Sequence, residues 1–327
     1  MSELLPSSVG RAPLVLDAAV PLVQHPGHLD ALLPALSAGG VGVLLPTVAS
    51  IEDLAGVTST LGAWRSFEDR PPAGARLARS VSDIVAAQAA GELAIVLHVQ
   101  GLHAVGGELD RLELYAAAGV KVAQLTYNYR NYLADGCLEP ANAGLSEAGR
   151  KAVRRLNELT MIPDVSHTGE SSSLEIIEVS TSPVIASHSN AKALCDHPRN
   201  LSDDLARAVA GSGGVVGLCA FPAFVDDDSP SVERLAEHAA YLAELIGAEH
   251  VGMGLDFSDE DASDYDFYGY DERYYPRPPW TWPAGLGSHA DVPGLRTALG
   301  GVGFSNEETD GILGENFLRV FAQAWGS

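Results

Sequence analysis

Short apolar runs recur along the chain, each bounded by polar or glycine-containing turns. They are LVLDAAV (14–20), VGVLLPTV (41–48), LAIVLHVQG (93–101), VKVAQLTYN (120–128), MIPDVSH (161–167), PVIASH (183–188), GVVGLCAF (214–221) and HVGMGLDF (250–257). Runs that are apolar at consecutive positions suit strands buried on both faces, as in a parallel sheet. Between most of them the pattern lengthens to that of a helix. HLDALLPALSAGG (28–40) closes on glycines, while LSEAGRKAVRRLNELT (145–160) and SVERLAEHAAYLAELIG (231–247) carry apolar positions three and four apart. The last helical stretch, 305–325, opens on Ser305 with Glu308 three residues on, a capping-box signature. Strands alternating with helices, with no linker and no composition break, predict an α/β fold: one (β/α)8 barrel over residues 1–327. Two doubly wound domains are the alternative.

One segment departs from this rhythm. Residues 257–293, FSDEDASDYDFYGYDERYYPRPPWTWPAGLGSHADVP, follow the eighth strand and hold nine of the chain's 22 aromatics, interleaved with Asp and Glu. Disordered segments are poor in aromatics. A strap packed on the barrel and a lid over its mouth both fit this composition.

Composition narrows the partners. The chain has 43 acidic and 20 basic residues, a formal charge of −23. Such a surface repels phosphate backbones and anionic lipid, which argues against nucleic acid and membrane partners. Three scattered cysteines provide neither a disulfide framework nor a CxxC site. No run reaches the ~18 apolar residues of a membrane span. The start MSELLPSSVGRAPLVLDAAV lacks the charge pattern of a signal peptide, so a cytoplasmic location is expected.

Barrel geometry gives three strand ends a meaning. In such barrels catalytic groups sit at the C-terminal ends of the strands. His167, His188 and Asp256 close the fifth, sixth and eighth runs and should converge at the mouth. Two histidines and a carboxylate there suggest a metal site or an acid–base site. His25, His28 and His103 fall in loops or helix starts and are expected at the surface.

LTYNYRNYLADGC, DVSHTGE, PVIASHSNAKALCDHPRNLSDD, HVGMGLDF and ILGENFLRVF, in this order, resemble the membrane (renal) dipeptidase family. The resemblance implies a (β/α)8 barrel with a dizinc centre, dipeptide hydrolysis and a homodimer. It matches His167 and His188 to the two histidines of one zinc site and Arg199 to the arginine that binds the substrate carboxylate. Asp256 matches the carboxylate that handles the substrate amine or a proton. Gln100 and Asn128 join Arg199 as candidate substrate contacts.

Other family positions are changed. The family's first-strand histidine and aspartate ligands fall on Ala19 and Pro21, leaving only the leading Asp17. The bridging glutamate falls on Gln100, and Tyr127 stands where a histidine stabilises the tetrahedral intermediate. Ala and Pro offer no donor, and Gln lacks the charge of a bridging carboxylate. The expected cofactor is therefore none or a single zinc ion on His167 and His188. His98 and Asp17 read as buried polar fillers, with His98, Gln100 or Asp256 as conceivable further ligands. Three functions follow: an amide hydrolase on a small carboxylate-bearing, amino-acid-derived substrate; a metal-independent enzyme using Tyr127, His167, His188 and Asp256 as acids and bases; and an inactive binder. Two histidines and a glutamine make a poor zinc site, which tilts the expectation toward chemistry that survives a chelator.

Overall fold

The computed structural model describes residues 13–326 except Ala73. Among the described residues, nine short parallel strands form the framework: β1 (Leu16–Val20), β2 (Val43–Pro46), β3 (Ala75–Leu77), β4 (Leu93–Ile95), β5 (Leu97–Val99), β6 (Val120–Gln124), β7 (Ile162–Asp164), β8 (Val216–Leu218) and β9 (Val251–Met253). β1 pairs with β2 and β2 with β4, and β5 continues that stave to β6 and β7. Residues 183–188 span the gap from β7 to β8 by single bridges, Asp164 to Ile185 and Ala186 to Val216. β8 pairs with β9, and the ring closes where Asp256 N–H donates to Ala19 O at 3.0 Å. All eight apolar runs are thus staves of one closed (β/α)8 barrel. β3, which the sequence pattern did not reveal, is a three-residue addition paired to β4.

The helices form where the longer period predicted them. They run over Leu29–Gly39, Glu147–Glu158 and Val232–Ile246, the last two capped by Ser146 and Ser231. The Ser305/Glu308 capping box is present, opening Asn306–Asp310. A π-helical turn at Gly311–Glu315 then leads into the last helix, Asn316–Trp325. Among the described residues no helix is long and apolar enough to cross a membrane.

The barrel interior is layered. Val96 and His98, Val122 and Gln124, Ile162 and Asp164, and Ile185 and Ser187 each stand two apart, so each polar residue shares the face of an aliphatic one. The aliphatic members pack in one buried cluster with Phe317 and Phe321 of the last helix, which floor the barrel. Gly252 makes room for this floor, since a Cβ there would sit 2.4 Å from the Phe317 ring. The polar layer lies above, and the mouth above that.

Residues 257–293 are an ordered strap across the mouth. A short helix, Ala262–Tyr268, is capped by Asp261 and ended by Gly269 at φ 65°. Tyr265 and Tyr275 join Phe221, Phe224, Leu138 and Cys219 in a buried cluster. Several hydrogen bonds tie the strap to the barrel, three of them made by its tyrosines. Tyr270 Oη meets Tyr127 Oη at 2.5 Å, Tyr275 Oη donates to Asn128 Oδ1 at 3.1 Å, and His197 Nε2 donates to Tyr274 O at 3.0 Å.

Candidate active site

Two buried acids, Asp164 and Asp17, organise the polar layer. Asp164 accepts from His98 Nε2 at 3.0 Å, from Gln124 Nε2 at 2.8 Å and from the backbone N–H groups of Ser166 and Ser187 at 3.0 and 2.9 Å. Burial opposes its charge, but these donors hold its pKa well below the usual carboxylate range. Asp17 accepts from His289 Nε2 at 2.8 Å and from the N–H groups of Leu255 and Ala19 at 2.8 and 3.2 Å. Both acids are held by neighbours, and His98 lies below the mouth. His25, His28 and His103 are exposed.

At the mouth the backbone itself aims the side chains. Asn128, His167 and Asp256 sit in the left-handed region, with φ of 59°, 62° and 58°. This region is uncommon for non-glycine residues and gathers at functional sites. Strand alternation from inward-facing Asp164 would send His167 outward, and the left-handed turn brings it back over the barrel. Its Nδ1 then donates to Asn128 Oδ1 at 2.8 Å, which fixes the tautomer and leaves a lone pair on Nε2. His188 Nδ1 contacts Ser187 Oγ at 2.6 Å. The two rings lie 4.9 Å apart, and both Nε2 atoms are buried without a partner. Asp256 Oδ2 is 3.9 Å from His188 Nε2, while Oδ1 accepts from Gln100 Nε2 at 3.4 Å. Tyr127 stacks on His167 at 4.2 Å.

Burial holds His167 and His188 well below the usual histidine pKa, and the Arg199 charge adds to the effect. Both are neutral in the metal-free chain near pH 7. Tyr127 is raised well above the usual phenol value, first by burial, so it is no base near neutrality. Asp256 is pushed up to about 7 by burial, with Asp17 and Asp164 adding and Arg199 and Gln100 opposing. Glu260, four residues on, is also pushed up to about 7, by burial and by Asp256. Nothing in SDEDASDYD distinguishes Glu260 from its exposed neighbours, so the sequence alone could not select it.

A titration follows from Asp256. Between its ordinary value of 3.8 and about 7, the folded metal-free chain keeps a proton that the unfolded chain has released. Wild-type stability from this group therefore falls as pH rises through that window. Asp256→Asn should gain stability relative to wild type across about pH 4–7 and hold a constant difference above it. Unfolding midpoints of the two proteins at matched pH check this, and a difference that does not change with pH would mean an ordinary aspartate.

Arg199 is buried, with 2% of its surface exposed. Its Nη2 donates to His188 O at 3.3 Å, its guanidinium lies 5.2 Å from the Phe224 ring, and its Nε has no partner. No carboxylate pairs with it among the described residues. Two cavities meet at His167. One, about 30 Å³, lies under the strap and is lined by Gln100, Asp256, Glu260 and a set of aromatic rings that includes Tyr127. The other, about 180 Å³, reaches Arg199, Lys192 and Cys137. Asn128 lines neither cavity and serves here as the support of His167.

The donor set fits one divalent ion. Among the described residues, His167, His188 and Asp256 bring ligand atoms within 4.8 Å of one another. Two imidazoles, a carboxylate and an open position are the make-up of a catalytic zinc site. Buried Nε2 atoms without partners are what such an ion would satisfy. It does not fit two ions. Ala19 and Pro21 carry no donor, His98 and Asp17 are engaged elsewhere, and Gln100 turns its amide N–H toward Asp256.

A parallel barrel with a His–His–carboxylate cluster at the C-terminal ends of its strands belongs to the class of barrel metallohydrolases. Sequence comparison makes this specific. The membrane dipeptidase (Peptidase family M19) profile matches residues 23–268, and the chain belongs to that family. An uncharacterised protein from the pqqA 5′ region of Klebsiella pneumoniae is 33% identical over 262 residues, covering 76% of this chain and 89% of that protein. Dipeptidase aclJ of Aspergillus oryzae is 35% identical over 235 residues, 70% of this chain; the matched stretch is 51% of aclJ, so the chain spans about half the length of that relative. An amidohydrolase from Pseudomonas aeruginosa superposes with a TM-score of 0.85 at 26% identity, over 96% of this chain and 97% of that one. A Rhodobacter sphaeroides metallopeptidase, solved with a phosphinate mimic of the dipeptide L-Ala-D-Ala, shares the fold with a TM-score of 0.81 at 21% identity, over 95% and 99% of the two chains.

Proposed function

We propose that this chain hydrolyses an amide bond in a small, carboxylate-bearing substrate of dipeptide size, with one divalent metal ion held by His167, His188 and Asp256. The observation that carries this reading is the pair of buried, partnerless imidazole nitrogens facing Asp256. An ion there would polarise the scissile carbonyl and make a water acidic enough to attack at neutral pH. The chain's own groups do the rest. Asn128 and Ser187 hold the two rings at Nδ1, so that both Nε2 atoms face one point. Gln100 holds Asp256 at Oδ1 and leaves Oδ2 toward His188. Arg199, buried without a counter-charge, takes the substrate carboxylate through its planar fork. The strap keeps bulk water from the reacting groups.

The test is metal content and chelator response. Protein purified without chelator or added zinc should keep about one equivalent of divalent ion per chain. Dipeptide hydrolysis should disappear on dialysis against a chelator and return with zinc. Two retained equivalents would mean that a second site has been rebuilt. Turnover that ignores the chelator would assign the reaction to acid–base chemistry of the same residues.

A further inference from the structure

Arg199 lines the larger of the two cavities and not the one under the strap. A substrate carboxylate held by Arg199 therefore places the residue that carries it in the larger cavity, and the walls there choose that residue's side chain. Those walls hold a second cation, Lys192, with Cys137, Thr168 and Ser202 beside it. Burial pushes the Cys137 thiol up to about 11, while Arg199 and Lys192 both act against that rise, so both charges reach the same sulfur. In a chain with 43 acidic and 20 basic residues, two cations on one cavity stand against the charge of the molecule as a whole.

Two acids share the lining, Glu139 and Glu170, and each has a neighbour of its own. Glu170 is exposed at the start of the helix Glu170–Val179, where its Oε1 accepts from Ser202 Oγ at 2.5 Å. Glu139 lies in the field of Arg130. The partner of Lys192 is Asp196 at 3.7 Å, a surface aspartate outside the lining with 88% of its side chain exposed. Such a pair contributes little and yields easily to a better one. An ammonium has three donors and no acceptor, so it asks for an acceptor, and its charge favours a carboxylate over an amide. We propose that the larger cavity selects a substrate whose C-terminal residue is acidic, with the main-chain carboxylate at Arg199 and the side-chain carboxylate at Lys192. The substrate is then a dipeptide that ends in Asp or Glu. This assignment rests on the role proposed above for Arg199. The room lies on the same side, about 180 Å³ here against about 30 Å³ under the strap.

Calorimetric titration of the full chain with N-acetylglutamate and with its neutral isostere N-acetylglutamine, each in both enantiomers, tests this without requiring turnover. In at least one hand the acid should bind about three- to tenfold more tightly than the amide, as expected of a charge-assisted contact to a lysine with 42% of its side chain exposed. Lys192→Gln should abolish that preference with the unfolding midpoint unchanged, and Lys192→Arg, which keeps the charge, should retain it. Equal affinities for acid and amide, no binding of either, or a preference that survives Lys192→Gln would overturn the proposal. Glutarate has two carboxylates and no amide, and should bind more weakly than N-acetylglutamate. Tighter binding of glutarate would assign the cavity to a plain dicarboxylic acid and overturn the dipeptide assignment. The two readings fail separately. A hydrolase that treats dipeptides ending in Glu and Gln alike loses only this selectivity, and a chain that prefers the acid but holds no metal and shows no turnover loses only the hydrolysis.

Discussion

If one ion is held as proposed, His188→Ala should release it and lower the proposed dipeptide turnover by roughly 100-fold or more, beyond the 10–100-fold that supporting hydrogen-bond partners command. The reason is the economy of the donor set. With Ala19 and Pro21 in the other ligand positions, His167, His188 and Asp256 are the three donors that meet at one point, and removing one leaves a pair too weak to hold zinc against dialysis. Asn128→Ala makes the graded control. It removes the acceptor at His167 Nδ1, 2.8 Å away, together with the acceptor for Tyr275 Oη, while leaving all three donor side chains in place, so metal affinity should fall by about 10–100-fold without vanishing. Metal analysis after dialysis, with turnover on the same samples, gives the answer. Full zinc retention by the His188 variant would place the ion elsewhere, and unchanged turnover would remove His188 from the chemistry.

Arg199→Met is expected to move stability and binding in opposite directions. The guanidinium is buried against Phe224 with one hydrogen bond, to His188 O, and no carboxylate paired with it, so the empty protein carries a buried charge that is only partly compensated. A methionine fills much of the same volume without that charge, and even where a buried charge has a partner, replacing the pair by apolar residues of similar volume is commonly neutral or stabilising, by about 1–4 kcal/mol. The loss of the cation–π contact offsets part of the gain, about 0.5–2 kcal/mol. The unfolding midpoint of the ligand-free variant should therefore hold or rise. Affinity for a carboxylate-bearing substrate or inhibitor should fall by at least tenfold, since a charge-assisted contact in a shielded site is worth about 1.5–3 kcal/mol. Arg199→Lys keeps the charge but loses the fork, and should recover little of the affinity. A lower midpoint with unchanged affinity would show that Arg199 serves the fold.

The barrel was legible because parallel strands buried on both faces read as unbroken apolar runs, and each of the eight runs is a stave. β3 escaped because it has three residues, Ala75–Leu77, of which only Ala75 is buried. His167, His188 and Asp256 could be brought together on paper by their places at strand ends. What could not be read was how they turn. Asn, His and Asp adopt the left-handed region more readily than other non-glycine residues, but that preference does not single out Asn128, His167 and Asp256 among the chain's many such residues, and those three dihedrals set where the side chains point. The pairing of Asp17 with His289 joins residues 272 apart in sequence and emerges only when the ring closes. It also accounts for an acid that the sequence leaves without a task. The aromatics of the strap argued for order, yet composition could not say that Tyr270 would meet Tyr127 or that Glu260, of several acids, would turn inward. The structure also changed the weight on metal. With His98 bound to Asp164 and Asp256 close to both free imidazole nitrogens, the donor set is stronger than two histidines and a glutamine.

The floor of the barrel bears on where this protein can be cut. The stretch that matches the family runs over residues 23–268, yet β1 ends at Val20 and the phenylalanines that floor the ring are Phe317 and Phe321. A fragment trimmed to the recognisable stretch would keep His167, His188, Arg199 and Asp256 while lacking the stave that seals the ring and the helix that fills its base. Here the part that carries the chemistry and the part that makes it a folding unit have different limits. For this chain, the smallest piece that can hold the site is set by the last helix, at the opposite end of the barrel from the mouth.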